Sequence, residues 1–440
     1  MLLVLLGLPL IAWRAFLNLS INRELAKIRT AGFPANGEEL NFWYAAVPDH
    51  QNAALVLTQA FALRQDYPDN RSNLINDFKF PKRNERLSAE QTQLLQGYLR
   101  LNEAQIRRAD EALTLPAARY PLDFTLLMNT PLPHLTWLND LAELHEFAAL
   151  IALESGDFTA VGTNIMTILA LVRTLDNEPS AISQLVRFKG IGRAFMTFER
   201  RANAGPLTAA EIANLTIAFD QTRVTSSSVI ALTGDRALMI PYFRMTLAEY
   251  NRLHPPKPKQ EPKANSPLPC HGPAILRLIG YYDLDYGTFL VGMRKAIAQL
   301  GKAPPENLRT RGYFARIGEE SAKRQRSLSG LFFSNYVNSG VDENVALANQ
   351  RLVLATLAIE RFRNDNGRRP ESLDELVPKY LAEVPEDPFT GMELEYRGKE
   401  KGYVIYSLGP DRENNEGLEK VDKKQSDDGR SYDITFTVER

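Results

Sequence analysis

Apolar residues recur every three or four positions through most of residues 52–250, which is the pattern of amphipathic helices that pack by one face. A clear case is the segment "SAEQTQLLQGYLRLNEAQ", in which the apolar positions are Leu94, Leu95, Tyr98, Leu99 and Leu101. Residues 22–252 are therefore predicted to form a body made mainly of helices.

The predicted helices begin and end at recognisable residues. Ser88 with Gln91, and Thr208 with Glu211, have the spacing of a capping box, in which two side chains satisfy backbone N–H groups of the first turn. The stretch "ESGDF" interrupts a long apolar pattern and predicts a turn between two antiparallel helices. We expect an irregular array of helical hairpins whose inner faces pack on each other.

Proline interrupts the helical pattern over residues 253–273. This stretch, "LHPPKPKQEPKANSPLPCHGP", holds seven prolines from Pro255 to Pro273, with lysines between them. Such a composition favours an extended and solvated segment, so we predict a linker or a surface loop. The helical pattern resumes over residues 274–342.

The pattern changes again near Glu343. A helical stretch runs from there to "NDNG", where Gly367 is a predicted C-cap with Pro370 beyond it. "MELEYR" and "YVIYSL" then alternate as strands around the turn "GKEKG", and "YDITFTV" is a third strand. Residues 343–440 are predicted to form a small α+β domain, in which a long helix packs on a three-stranded antiparallel sheet.

The N-terminus begins with "MLLVLLGLPLIAW", a run of thirteen residues without a charge. The run makes about 20 Å of helix, whereas a bilayer core needs roughly 20 residues. We predict a membrane anchor over residues 1–21, and three interpretations stay open: a signal-anchor that begins upstream, a cleaved signal peptide and a buried core helix. The nearest charges follow the apolar run, and the positive-inside rule taken alone would keep the body in the cytoplasm.

Charge and cysteine content exclude some classes of function. The chain has 52 Lys and Arg residues and 53 Asp and Glu residues, which gives a formal net charge of −1. Nucleic-acid-binding proteins usually carry a net positive charge, so this balance argues against that class. Hydrophobic residues make up 44% of the chain, enough to fill sizeable cores. The single cysteine, Cys270, excludes an intrachain disulfide.

Few residues form patterns that carry chemistry. None of the five histidines has the partner spacing of a zinc site, and no glycine-rich phosphate loop follows a predicted strand. The best acid–base candidates are Asp283 and Asp285 in "YYDLDYGTF", because paired carboxylates can transfer protons. Tyrosines and acids at helical spacing are more typical of a half-buried helix face, so catalysis there is the weaker interpretation.

A series of short motifs in residues 343–440 resembles the soluble domain of the major pseudopilins of type II secretion, the G-type proteins. The motifs are "DNG" followed by Pro370, "VPEDPF", Tyr396, "YVIYSLGPD" and "DI" at Asp433. The resemblance covers less than a quarter of the 440 residues and implies the helix-on-sheet fold. The whole arrangement of anchor, helical body and pseudopilin-like tail resembles uncharacterised envelope proteins of planctomycete and verrucomicrobial bacteria.

In the resembled family, the loop after the "SLG-x-D" motif binds calcium. The corresponding oxygen ligands here are the carbonyl of Leu408, the carboxylate of Asp411, and Asp428 or Asp433. Calcium takes about six to eight oxygen ligands of this kind, so the resemblance implies a metal-stabilised loop before the last strand. Lysines and arginines crowd the same loop, and a solvated charged loop is the alternative.

These features favour a non-enzymatic scaffold or interaction protein of the bacterial envelope, associated with a secretion or pilus-like assembly. The resemblances imply a single-pass anchor in the inner membrane, a periplasmic body and protein partners in the envelope. The charge balance argues against nucleic acid as a partner. Two alternatives remain open: an envelope hydrolase that uses Asp283 and Asp285, and a minor pseudopilin, which would need a prepilin leader upstream. The sequence does not indicate the oligomeric state.

Overall fold

The computed structural model describes residues 2–67, 71–255, 268–324, 326–419 and 432–440. Most of the proline-rich stretch 253–273 and one predicted calcium ligand, Asp428, lie outside the described residues. Within them the protein is mainly helical and contains a small three-stranded antiparallel sheet. This mixture of secondary structure agrees with the prediction.

The α-helices of the described residues are numbered in chain order. They are α1 Leu2–Thr30, α2 Gly37–Trp43, α3 Ala53–Phe61, α4 Arg71–Asn76, α5 Ala89–Leu101, α6 Glu103–Ala112, α7 Pro133–Ser155, α8 Phe158–Arg173, α9 Ala181–Ala204, α10 Ala209–Asp220, α11 Ser227–Met239, α12 Leu247–Leu253, α13 Ala274–Leu278, α14 Tyr281–Leu300, α15 Arg309–Lys323, α16 Ser327–Asn335 and α17 Ser339–Asn366. Short 3-10 helices lie at Asp49–Gln51, Phe124–Asn129, Ile240–Phe243, Pro269–His271, Glu306–Leu308 and Leu373–Leu376.

The predicted turn at "ESGDF" joins two antiparallel helices. α7 ends at Gly156, which has the left-handed φ of 73° that a helix C-terminus favours. Asp157 caps α8, since its carboxylate accepts the backbone N–H of Ala160 at 3.0 Å. α7, α8 and α9 pack against one another. The short connection between α7 and α8 therefore produces one of the predicted helical hairpins.

The sheet contains β1 Glu395–Gly398, β2 Tyr403–Ser407 and β3 Ile434–Val438. β2 lies in the middle and pairs antiparallel with both neighbours. Ile405 of β2 stands opposite Tyr396 and Phe436. α17 packs against β2 and β3, so the long helix covers the sheet as predicted.

The first turns of α17 are fixed to the helical body. α17 begins at Ser339, ahead of the predicted Glu343, because the carbonyl of Asn338 already accepts the N–H of Asp342 at 2.9 Å. The Glu343 carboxylate accepts the backbone N–H of Ser226 at 3.0 Å, just before α11. The helix that carries the sheet is thus also an element of the body.

Apolar packing is continuous between the body and the sheet. One hydrophobic core contains residues of α3, α7, α8, α9, α17, β2 and β3. Within it, the ring of Phe436 in β3 lies 5.3 Å from the rings of Phe195 and Phe198 in α9. β3 therefore packs against both α9 and α17.

A buried carboxylate adds a polar link between distant parts of this core. Glu199 of α9 pairs with Arg83 at 2.7 Å and accepts the backbone N–H of Thr437 in β3 at 2.8 Å. Burial raises the pKa of Glu199 to about 7, although both of these partners favour its charged form. The Glu199 side chain therefore connects the segment between α4 and α5, α9 itself and β3.

A second hydrophobic core lies beside α1. It contains residues of α11, α14, α15 and α16, and α1 contributes Ile21 and Ile28. α1 packs along α14, and Leu17 is buried there. In the part of the chain that the structure describes, no helix combines the length and apolar character needed to cross a bilayer.

Candidate functional sites

The side chain of Asp283 joins α1 to the body. Its carboxylate pairs with Arg14 of α1 and with Arg244, whose Nη2 lies 2.9 Å from Oδ1. Arg244 also donates to the Asn18 side chain of α1 at 2.7 Å. One carboxylate and two guanidinium groups thus fix the orientation of α1 on α14.

Asp285 also lies on α14 and has a different set of partners. Its buried carboxylate accepts the backbone N–H groups of Leu328 at 3.2 Å and Ser329 at 3.3 Å, at the start of α16. Burial raises the pKa of Asp285, and these hydrogen bonds oppose the shift. The two predicted acids therefore contact different elements: Asp283 contacts α1, and Asp285 caps α16.

A long groove lies beside α1, between α14 and α15, and is termed the α14–α15 groove. Its first half has a volume of about 550 Å³ and a mixed lining. The apolar residues Leu284, Val291 and Ile317 lie there together with charged ones, which include Glu24, Asp283, Glu320, Arg324 and Arg326. Gly287 also lines this half, and a Cβ atom at that position would meet nothing within 4 Å. Asp283 is part of the same lining, so the groove runs beside the contact that holds α1.

The second half of the α14–α15 groove is basic. It has a volume of about 660 Å³, and Tyr313 lines both halves. None of the described residues that line this half is acidic. The cations along it are Arg294, Lys295, Lys302, Arg309 and Arg316.

Only part of this positive charge is neutralised by neighbours. Arg294 pairs with Glu24 at 2.8 Å, and Lys302 pairs with Glu306 at 3.4 Å. The cations that are exposed and form no ion pair within the described residues are Lys295, Arg309 and Arg316. The sequence held a signal for this surface, because Arg309 and Arg316 are about two helical turns apart and share one side of α15.

The predicted calcium ligands lie around the loop after β2. Leu408 follows β2 directly, and its backbone N–H donates to the buried Asp387 carboxylate at 2.9 Å. The Asp411 side chain accepts the N–H of Glu413 at 3.1 Å. Asp433 is 5% exposed and accepts the N–H of Gly417 at 2.8 Å.

Asp411 and Asp433 are close enough to influence each other. Burial raises the pKa of Asp433, and the negative charge of Asp411 raises it further. A hard cation between the two carboxylates would relieve this repulsion, so their chemistry fits calcium. The described part of the chain contains no group of three His, Cys, Asp or Glu side chains arranged to hold a metal.

Comparison of the chain with protein-family models, with curated proteins and with solved structures finds no match. The pseudopilin likeness of residues 343–440 therefore stays a prediction based on sequence motifs.

Proposed function

We propose that the protein is a non-enzymatic scaffold or interaction protein that α1 anchors to the bacterial inner membrane, with its body in the periplasm. The observation that carries this proposal is the division of α1 into two faces. Leu17, Ile21 and Ile28 are buried, whereas Leu8 and Ile11 are 65% and 66% exposed. An extended apolar face of this kind on a protein surface is typical of a membrane or partner contact.

The exposed face of α1 has the composition of a membrane-inserted segment. Phe16 and Leu19 extend the face, and burial of each such side chain contributes about 1.5–3 kcal/mol. Trp13 stacks on Phe16 with 5.9 Å between ring centroids, and its indole N–H donates to the carbonyl of Ile279 at 3.0 Å. Tryptophan is enriched at membrane–water interfaces, so Trp13 marks the level at which the body meets the bilayer.

The α14–α15 groove supports the interaction role. Its basic half attracts an acidic segment of a partner protein, because complementary charge increases both the rate and the specificity of association. Lys295 and Arg316 line both halves, and Arg324 and Arg326 line the first, so positive charge continues along the groove. A partner segment that carries acidic residues for the basic half and apolar side chains for Val291 and Ile317 matches the groove.

Residues 343–440 support two further parts of the proposal. One is association with a secretion or pilus-like assembly, and the other is a bound calcium ion. A long helix on an antiparallel sheet is the arrangement that the pseudopilin resemblance implies. Asp411 and Asp433 would hold calcium together with the carbonyl of Leu408. The ion would supply positive charge that offsets the repulsion between the two carboxylates.

Membrane attachment is tested by flotation of the full chain with vesicles of phosphatidylethanolamine and phosphatidylglycerol. The wild-type protein is expected to float with the vesicles. A double variant, Leu8→Glu with Ile11→Glu, is expected to remain at the bottom of the gradient, because charged side chains insert into a bilayer at a high free-energy cost.

The matched control is Ile217→Glu, which changes an apolar residue of α10 that is 55% exposed and lies away from α1. This variant is expected to float like the wild type. Equal flotation of the α1 double variant, or a wild-type protein that fails to float, would contradict membrane anchoring by α1. Circular dichroism of each variant checks that the helical body remains folded.

A further inference from the structure

A second cavity lies between the beginnings of α9 and α17 and one side of α11, and is termed the α9–α11 cavity. Its volume is about 260 Å³, slightly below the roughly 300–1,000 Å³ of sites for drug-sized ligands. Its apolar lining residues are Met128, Ile182, Leu185, Phe188, Ala231 and Met239. Ile182 and Leu185 are 57% and 49% exposed, so they form the open side of the cavity.

The α9–α11 cavity contains a buried carboxylate that has no cationic partner among the described residues. Asp235 accepts the hydroxyl of Tyr336 at 2.8 Å and, more weakly, the N–H of Ala181 at 3.4 Å. Burial raises the pKa of Asp235, and no described positive charge opposes this shift. Asp342 lines the same cavity, and burial alone raises its pKa. The cavity therefore has a negative character that the described residues do not neutralise.

An unpaired oxygen in the lining points to the same chemistry. The side-chain N–H₂ of Gln184 donates to the carbonyls of Leu175 at 2.8 Å and Glu178 at 3.0 Å, which fixes the orientation of the amide. Its Oε1 is buried and has no hydrogen-bond partner among the described residues. A buried acceptor without a donor is unfavourable, and in a native protein it calls for an explanation such as an absent ligand.

The polar groups of the cavity select the class of ligand. Asp235 and Asp342 bring negative charge, and Gln184 offers a further acceptor. The other polar lining residues carry no charge, so the charge of the cavity favours a ligand with donors and positive charge; they are Ser228, Asn335, Tyr336, Asn338 and Ser339. An ammonium group has three N–H donors and no acceptor, which matches this set. The surrounding aliphatic and aromatic walls match an apolar body.

We propose that the α9–α11 cavity binds a small apolar primary amine, whose ammonium group donates to Asp235 and Gln184. The apolar body of the amine packs against Leu185, Phe188 and Met239. This site is independent of membrane anchoring by α1, because none of its lining residues belongs to α1. Binding to it therefore remains measurable in a variant that no longer floats with vesicles.

The test is isothermal titration calorimetry of the full chain with n-hexylamine, 1-hexanol and hexanoate at neutral pH. The three probes share an alkyl chain and differ in the charge of the head group. We expect n-hexylamine to bind one site at least tenfold more tightly than 1-hexanol, and hexanoate not to bind. The carboxylates of the cavity attract the ammonium group of n-hexylamine, and they repel the carboxylate of hexanoate.

Three substitutions separate charge recognition from shape. Asp235→Asn and Asp342→Asn are each expected to weaken n-hexylamine binding by about tenfold, since each removes a negative charge from the cavity. Leu185→Trp is expected to abolish binding, because the larger side chain fills the open side of the cavity. Leu185 is partly exposed, so this variant is expected to fold. The control, Asp220→Asn, changes an exposed carboxylate outside the cavity and is expected to bind like the wild type.

Three results would overturn the proposal. One is equal affinity for 1-hexanol and n-hexylamine, which would show that the carboxylates play no part. Another is unchanged n-hexylamine affinity in both Asp342→Asn and Leu185→Trp. The third is the absence of saturable heat with the wild-type protein at millimolar amine.

Discussion

The buried carboxylate of Asp387 accepts a hydrogen bond from the hydroxyl of Ser407 at 2.8 Å. The same carboxylate accepts the backbone N–H groups of Phe389 and Leu408, each at 2.9 Å. One side chain therefore fixes both its own turn and the end of β2. This arrangement explains how β2 can stop abruptly after Ser407 while the N–H of Leu408 still has an acceptor.

Substitution of Asp387 is expected to destabilise the protein strongly. Asp387→Ala leaves a hydroxyl and two N–H groups without their acceptor, and each unsatisfied buried group costs about 1–3 kcal/mol. We expect the free energy of unfolding to fall by about 3 kcal/mol or more in urea titrations. Ser407→Ala removes one of these bonds and should cost about 1 kcal/mol.

The control for this comparison is Glu383→Ala, which removes an exposed carboxylate from the same loop. Its effect should stay within about 0.5 kcal/mol. If Asp387→Ala unfolds at the same urea concentration as Glu383→Ala, the Asp387 hydrogen bonds do not stabilise the fold as described.

The two aspartates of α14 are expected to differ in their contribution to stability. Asp285→Ala removes the buried cap of α16 and should cost about 1–2 kcal/mol. Asp283→Ala breaks ion pairs with partly exposed arginines, and such pairs contribute about 1 kcal/mol or less. Urea titration of both variants measures the difference, and a larger loss for Asp283→Ala would contradict this assignment.

The pH dependence of stability is expected to show the titration of Asp235. Burial raises its pKa in the folded protein from 3.8 to about 6. Folding therefore favours the neutral form of the Asp235 side chain. The resulting stabilisation is complete below the pKa of the unfolded chain, 3.8, and is lost as the pH rises through the pKa of the folded protein, about 6. Between pH 4 and 7 the wild type should therefore lose about 2–3 kcal/mol relative to Asp235→Asn.

Unfolding free energies of the wild type and Asp235→Asn across this pH range provide the measurement. Asp220→Asn, which alters an exposed carboxylate, should follow the wild-type curve. Parallel curves for the wild type and Asp235→Asn would show that Asp235 ionises normally in the folded protein.

Calcium is expected to stabilise the full chain through the loop after β2. A ligand that binds only the folded state stabilises it by about 2.7 kcal/mol at a hundredfold excess over Kd. Asp411→Ala and Asp433→Ala should both lose this increment in thermal unfolding with millimolar calcium. If calcium does not change the Tm of the wild type, the loop after β2 is a solvated charged loop that binds no calcium.

The same two variants should differ when calcium is removed by chelation. Asp433→Ala loses the acceptor for the N–H of Gly417 and should be destabilised by about 1–2 kcal/mol. Asp411→Ala affects an exposed side chain and should change stability by less than about 0.5 kcal/mol. The comparison separates the structural role of Asp433 from any role in metal binding.

Local features of the fold could be predicted because their signals lie within a few residues. The capping boxes of Ser88 with Gln91 and of Thr208 with Glu211 both form. Gly367 ends the long helix with a φ of 68°, as its C-cap pattern indicated. The three strands also lie where alternation predicted them.

The candidate sites could not be predicted in the same way, because they depend on contacts between distant segments. The sequence presents Asp283 and Asp285 as one acidic pair, and nothing near them specifies Arg14 or Ser329 as partners. Asp235 lies in an ordinary helical stretch, "ALTGDRALM". Arg236 follows it directly, and only the packing of α9, α11 and α17 shows that Asp235 forms no ion pair with a described residue.

The hydrogen bond between Glu199 and Thr437 joins positions 238 residues apart. A ribosome adds about 5–20 residues per second, so β3 emerges roughly 12–48 s after α9. Throughout that interval Phe195 and Phe198 lack the ring of Phe436 that covers them in the finished protein. The nascent body therefore leaves these two rings without their β3 cover until translation of the sheet is complete.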